Sequence, residues 1–167
     1  MILALALACG CTSEGSGFAG DYETVAFMRQ QGGCRGVQSV EPIAPRDLHF
    51  RLGDVDTETG ALVGYFPCTA PGSCDPIFDL VRSFGAAKDD PEGWAGYVTS
   101  AIPASPCVLG YRVRRLSAMP GGIAIDETSY RETDASVPAA ECVAATAAAR
   151  ADAMPCVEES RLVAEER

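Results

Sequence analysis

Eight cysteines, one histidine and a run of alternating carboxylates are the residues of this chain whose types and spacing could do chemistry. The thiols stand at Cys9, Cys11, Cys34, Cys68, Cys74, Cys107, Cys142 and Cys156. Thiolate metal sites need closely spaced ligand pairs, and Cys68 and Cys74, the nearest pair within the body of the chain, are separated by five residues. That spacing points to disulfides and to no metal. His49 lies between the apolar Leu48 and Phe50, which puts it on the polar face of a strand, where a solvated imidazole is expected and a general base is not. Asp54, Asp56 and Glu58 resemble the first half of a calcium loop. The second half departs from it: Gly60 falls at position 7 where the pattern needs 6, and Tyr65 stands where the bidentate Glu belongs, so a solvated hairpin is expected. Asp126 and Glu127 are strand neighbours pointing to opposite faces and form no dyad. Gly15, Gly17 and Gly20 spell G-x-G-x-x-G without a preceding strand or a following helix, which makes them a spacer. With no G-x-S-x-G, C-x-x-C, H-E-x-x-H or P-loop, no catalytic residue is assigned and no cofactor is expected.

Composition narrows the partners. The net charge is −10, and the positive residues are twelve arginines and Lys88 alone. Such a surface repels phosphate backbones and anionic headgroups. Nucleic acid is excluded as a partner, and any membrane association has to come from attached lipid. Apolar residues are spread evenly along a length that suits one domain, so a folded core is expected.

The source of such a lipid lies at the start. Met1 to Ala8 is an uncharged apolar run, too short to span a bilayer and the right size for the hydrophobic part of a secretory signal. It ends on Ala8-Cys9-Gly10-Cys11, and a small residue directly before a cysteine at that point resembles the lipobox of bacterial lipoproteins. The resemblance implies cleavage and acylation of the new N-terminal cysteine. Cleavage before Cys11 leaves an even set of six thiols, whereas acylation at the alternative, Cys9, leaves Cys11 as an odd one; parity favours Cys11. The implied organisation is a signal peptide over 1–10, a lipidated flexible tether over 11–20 and a single domain over 21–167. Thr12 following Cys11, where Asp would signal retention, implies the bacterial outer membrane, or more broadly the periplasm, as the location.

From Asp21 onward, short alternating runs broken by turn residues at intervals of about ten mark an all-β domain. Tyr22 to Arg29 is the first expected strand. Leu48, Phe50 and Leu52 alternate with polar neighbours, and Ala61 to Pro67 returns after the acidic turn 54–60, making a hairpin. Asp75-Pro76 is an N-cap with proline at N1, and Ile77, Leu80, Val81 and Phe84 have helical spacing, so a short helix is expected over 76–82, with a brief strand near 83–88. Strands are expected over 94–102 and 107–116; in the second, Leu109, Tyr111 and Val113 share one face while Arg112 and Arg114 point the other way. After Pro120-Gly121-Gly122, the run 123–131 puts Ile123 and Ile125 on one side. The period then changes. Ala140, Val143, Ala144, Ala147 and Ala151 recur at helical intervals, which predicts a helix near 137–153. The stretch 156–165 is expected to be a strand, because a barrel would otherwise leave its first strand as an open edge.

Gly20-Asp21-Tyr22 at the head of the first strand, the repeated β runs, one late helix and a final strand resemble the lipocalin pattern. Six cysteines behind a lipobox are similar to small bacterial envelope lipoproteins. The resemblance implies a mainly β fold, an antiparallel up-and-down β-barrel of about seven or eight strands with one helix before the final strand. Tracing strand direction through it sets Cys34 beside Cys156, closes a short loop with Cys68 and Cys74, and leaves Cys107 with Cys142 to pin the helix across the barrel mouth like a lid. Cys142 and Cys156 are kept apart, by about 16 Å of helix against a limit of about 7 Å between bridged Cα atoms. The expected function is that of a non-enzymatic envelope lipoprotein that binds a small apolar ligand or presents a surface. An interaction or inhibitor module and a carboxylate-dependent hydrolase are the alternatives.

Overall fold

Side-chain alternation and turn glycines set most of the backbone. The computed structural model describes residues 16–36, 39–44, 47–90 and 93–167. The expected signal peptide, Cys9, the expected acylation site Cys11 and the first part of the expected tether lie outside the described residues. Among those residues it forms ten strands: β1 (Gly20–Gln31), β2 (Ser39–Val40), β3 (His49–Thr57), β4 (Gly60–Ala70), β5 (Ser73–Cys74), β6 (Gly85–Ala86), β7 (Trp94–Ile102), β8 (Cys107–Met119), β9 (Gly122–Asp134) and β10 (Cys156–Glu166). One helix, α1 (Ala144–Arg150), stands between 3-10 turns at Ala139–Glu141 and Ala151–Ala153.

The strands make one antiparallel sheet in the order β5-β4-β3-β1-β10-β9-β8-β7-β6, with β2 also on β1. The first long strand thus lies against the last, and β1 is no open edge. The order itself is open, ending in β5 and β6. Across that opening Val63 of β4 and Phe84, just before β6, exchange backbone hydrogen bonds of 2.8 and 2.9 Å. Phe84 arrives there on a strap that runs inside the sheet. A Cβ on Gly96 of β7 would stand 2.6 Å from the Ser83 carbonyl oxygen, so only glycine lets the strap pass.

Tyr22, Phe50, Leu52, Val63, Tyr65, Phe84, Leu116, Ile123, Ile125 and Ala164 form the main core on the inner face. Tyr22, Phe50 and Tyr65 stack in a row, with ring centroids 5.6 and 4.8 Å apart. Each such contact contributes about 0.5–1.5 kcal/mol beyond the area it buries. Phe18, in the stretch expected to be tether, packs on this core.

A second cluster, Cys107, Leu109, Cys142, Ala147 and Met154, lies on the other face of β8, because Leu109 and Leu116 are an odd number of residues apart and so point opposite ways. That parity corrects the position of the helix. It is shorter than the expected 137–153, and it packs its buried Ala147 on the outside of β7 and β8 rather than across a mouth. Alanine spacing gives it a face to bury, and the extended backbone at Val143 (φ −131°, ψ 163°), next to the bridged Cys142, starts it late. The helix expected over 76–82 is also replaced, here by turns. Backbone pairing with β4 overrides its helical spacing: the Asp75 N–H donates to the Pro67 carbonyl (2.9 Å) and the Asp79 N–H to that of Tyr65 (2.7 Å). The acidic stretch is strand as far as Thr57, and the chain reverses at Glu58-Thr59 with Gly60 at a φ of +131°.

The six described cysteines lie in three pairs, Cys34 with Cys156, Cys68 with Cys74 and Cys107 with Cys142, at Cα separations of 5.7, 3.8 and 5.8 Å. These are the partners that strand tracing names, although the helix pinned by Cys107 and Cys142 is on the outer wall.

Candidate functional site

Inside the sheet, beyond the stacked aromatic row, is a chamber of about 430 Å³. Strand parity places its side chains. On β8, Arg112 and Arg114 share the phase of the core residue Leu116 and so face inward, opposite to Leu109. On β9, Glu127 continues the inward series of Ile123 and Ile125. The β1 register slips between Thr24 and Ala26, and the bulge changes the phase so that Phe27 and Arg29 face in after Tyr22 and Thr24. Glu158 and Leu162 of β10 stand opposite them, and residues 41–44 and 81–82 form the edge of the opening.

The charges are held in unequal ways. The Arg29 Nη2 donates to Glu158 Oε2 at 2.7 Å, and this hydrogen bond raises the guanidinium's pKa. Arg82 donates to Asp47 Oδ1 at 2.8 Å and has Asp79 at 3.4 Å. Glu127 instead serves two arginines loosely, with Arg112 Nε at 3.6 Å and Arg114 Nε at 3.3 Å. Charge-assisted N–H···O bonds are about 2.7–2.9 Å long, so neither contact is a tight bond. Arg114 is the buried member, and its burial lowers its pKa. It keeps its charge, stabilised by a 2.6 Å hydrogen bond to the Arg82 carbonyl and by the faces of Phe84 and Tyr65 at 5.1 and 5.8 Å. Arg112 is about half exposed and has Glu127 as its one ion-pair partner among the described residues.

The residues singled out from sequence lie elsewhere. His49 is half-buried in a separate recess of about 160 Å³ with Asp21 and Arg167. Asp54 accepts the Ser16 N–H at 3.1 Å, and no group of three potential ligands is arranged around a metal position among the described residues. Asp126 and Glu127 do face opposite ways, Asp126 toward Arg161 at 3.6 Å and Glu127 into the chamber. The disulfides lie outside the chamber wall's inner lining. The chamber arginines are what sequence reasoning missed. Their signal is the phase that Arg112 and Arg114 share with Leu116.

No family model, curated protein or solved structure matches the chain.

Proposed function

We propose that this chain is a lipid-anchored protein of the bacterial cell envelope whose β domain, a lipocalin-like barrel, holds one small molecule without transforming it. The observation that carries this reading is the chamber: its volume of about 430 Å³ falls within the range of about 300–1,000 Å³ typical of small-molecule sites, and apolar side chains such as Phe27, Ile125 and Leu162 share its lining with four arginines and four carboxylates. The Val63–Phe84 bridge across the open side of the sheet supports the barrel. The anchor rests on the lipobox resemblance, with Cys11 acylated and the outer membrane or periplasm as the location. Gly20 opens β1 and Arg29 lines the chamber, so a tether before Gly20 would sit about 30 Å from the charged wall at about 3.3 Å per residue. The chamber would then face away from the membrane that holds the protein.

Native mass spectrometry of the protein extracted from its own envelope tests the whole reading. The expected species carries acyl mass, three disulfides and a retained small molecule. Replacing Cys11 with Ala should release it in soluble form; retention of that variant while Cys9→Ala is shed would move acylation to Cys9. A chain that retains nothing, and takes up nothing on dialysis against an envelope extract, overturns the carrier role. A second reading, a protein-interaction module, is favoured by one observation: Ile77, Leu80 and Val81 stand 77%, 68% and 55% exposed in a single loop. Loss of a co-purifying protein on Leu80→Ser, with the chamber found empty, would establish it instead.

A further inference from the structure

The chamber's charges also bear on what it holds. Arg29, Arg82, Arg112 and Arg114 are matched along its lining by Glu41, Asp47, Glu127 and Glu158, with Asp79 also 3.4 Å from Arg82, so the wall as a whole selects no anion. What differs is how firmly each pair is closed. Arg29 to Glu158 and Arg82 to Asp47 are contacts of 2.7 and 2.8 Å. Strand register makes the third group loose: Glu127 stands directly across from Arg114, whereas Arg112 has Ser129 across from it and reaches Glu127 only on the diagonal. The gaps, 3.6 Å from Arg112 Nε to Glu127 Oε1 and 3.3 Å from Arg114 Nε to Glu127 Oε2, exceed the length of charge-assisted hydrogen bonds, about 2.7–2.9 Å. Arg114 is engaged by the Arg82 carbonyl and the rings of Phe84 and Tyr65. Arg112 and Glu127 thus present a donor fork and a carboxylate side by side, each with unused hydrogen-bonding capacity. They share the lining with the apolar Phe27, Ile125 and Leu162.

We infer that the ligand is a zwitterion, an α-amino acid with a large apolar side chain, whose carboxylate lies on the Arg112 fork and whose ammonium lies on Glu127 Oε1. The inference rests on the carrier reading above. An anionic head on Arg112 would meet Glu127, and a cationic head on Glu127 would meet Arg112 and Arg114; a ligand that carries both charges removes both repulsions. A neutral apolar ligand would cover the two groups and leave their bonding capacity unmet, a larger penalty for charged groups than for neutral ones. The 3.6 Å gap sets the spacing. It calls for opposite charges close together, as on two substituents of one carbon, and for an ammonium with N–H groups to donate, which a quaternary ammonium lacks. The side chain then lies along Phe27, Ile125 and Leu162.

Isothermal titration calorimetry of the full chain at pH 6 and low salt tests this with four probes of one shape: phenylalanine, the anion N-acetylphenylalanine, the cation phenylalaninamide and the neutral N-acetylphenylalaninamide. Phenylalanine should bind about tenfold more tightly than each of the other three. Arg112→Gln should weaken phenylalanine about tenfold and make phenylalaninamide the better of the two singly charged probes. Glu127→Gln should weaken phenylalanine comparably and turn that preference to N-acetylphenylalanine. Equal weakening of all four probes by either variant would overturn the head-group assignment. If a variant does not fold, as judged by circular dichroism, the ranking of the four probes on the wild type decides alone. A blocked probe that binds the wild type as tightly as phenylalanine overturns the zwitterion, as does a phenylalanine affinity indifferent to Arg112 and Glu127. Binding of none of the four also overturns it; the carrier reading is decided separately, by what the protein extracted from its own envelope retains in native mass spectrometry.

Discussion

Arg112 and Arg114 are two residues apart on one strand, carry the same charge and lean on the same carboxylate, yet their surroundings separate their roles. The Arg114 side chain is 10% exposed and the Arg112 side chain 47% exposed. Truncating Arg114 to Ala leaves a void beside Phe84 and Tyr65, an unpaired carbonyl on Arg82 and a weakened partner for Glu127. The expected loss is about 3–4 kcal/mol. Arg112→Ala removes one loose, half-solvated ion pair and should cost under about 1 kcal/mol. Arg114→Met keeps the apolar stem that packs on the two rings and should recover about half of the alanine loss. Urea unfolding of the three variants checks this, and equal midpoints for the two alanine variants would contradict it. The same pair shows where single residues become hard to read from sequence. Alternation states which side chains share a face but not which face is inner, and with α1 covering the Leu109 face both sides of β8 are buried at some point. Arg29 is harder still, because the β1 bulge inverts its phase and nothing in the local pattern of Tyr22 to Arg29 announces a bulge.

At the scale of elements, strands bounded by turn residues are legible because each is decided locally, by period and by residues such as Gly121, which turns β8 into β9 at a φ of +76°. Helices are less so here. The 76–82 segment has helical spacing and an N-cap, but its amides bond to β4, and α1 keeps only the central part of its alanine periodicity. What holds α1 is tertiary: Cys142 bridged to Cys107, and Arg150 reaching Glu132 at 2.6 Å and Asp134 at 2.9 Å. Glu132 Oε2 is buried with no hydrogen-bond partner among the described residues, so Arg150→Ala would leave a partly buried carboxylate uncompensated. That should destabilise the domain by about 1–3 kcal/mol, with the loss concentrated in faster amide exchange over 144–150. Asp134 gives the attachment a pH dependence. Hydrogen bonds from Ser136, then Arg150, hold its carboxyl below the usual range. A carboxyl whose pKa is lower in the folded state stabilises that state above its unfolded pKa of about 3.9 and loses the contribution as pH falls through the folded value. Exchange protection of α1 should therefore fall as the pH drops below about 4, and Asp134→Asn should flatten that fall. A pH-independent α1 in the wild type would rule the mechanism out. The strap through Gly96 belongs to this scale too. Gly96→Ala drives a methyl group into the Ser83 carbonyl and should displace Phe84 from Val63, with a stability loss of about 2–4 kcal/mol visible as a lower melting temperature.

For the molecule as a whole, the disulfides matter according to how much chain they close. The three pairs span 122, 35 and 6 residues. If a cross-link acts mainly by restricting the unfolded chain, the loop-closure relation gives about 5 kcal/mol for Cys34–Cys156, about 4 for Cys107–Cys142 and about 2 for Cys68–Cys74. Against a total stability of about 5–15 kcal/mol for a domain, losing the first alone should leave the fold marginal, and full reduction should unfold it. The geometry adds a local term in the same direction. Cys34–Cys156 joins the ends of β1 and β10 next to the Arg29–Glu158 pair, so its loss should also loosen the chamber wall, whereas Cys68–Cys74 ties a short loop at the end of β4. Paired Cys→Ser variants measured by thermal unfolding should rank Cys34/Cys156 as most damaging, Cys107/Cys142 next and Cys68/Cys74 last. If Cys68/Cys74 proves as costly as Cys34/Cys156, the bridges act on the native loops and not on the unfolded chain. A melting temperature unchanged by strong reductant would deny them any stabilising role.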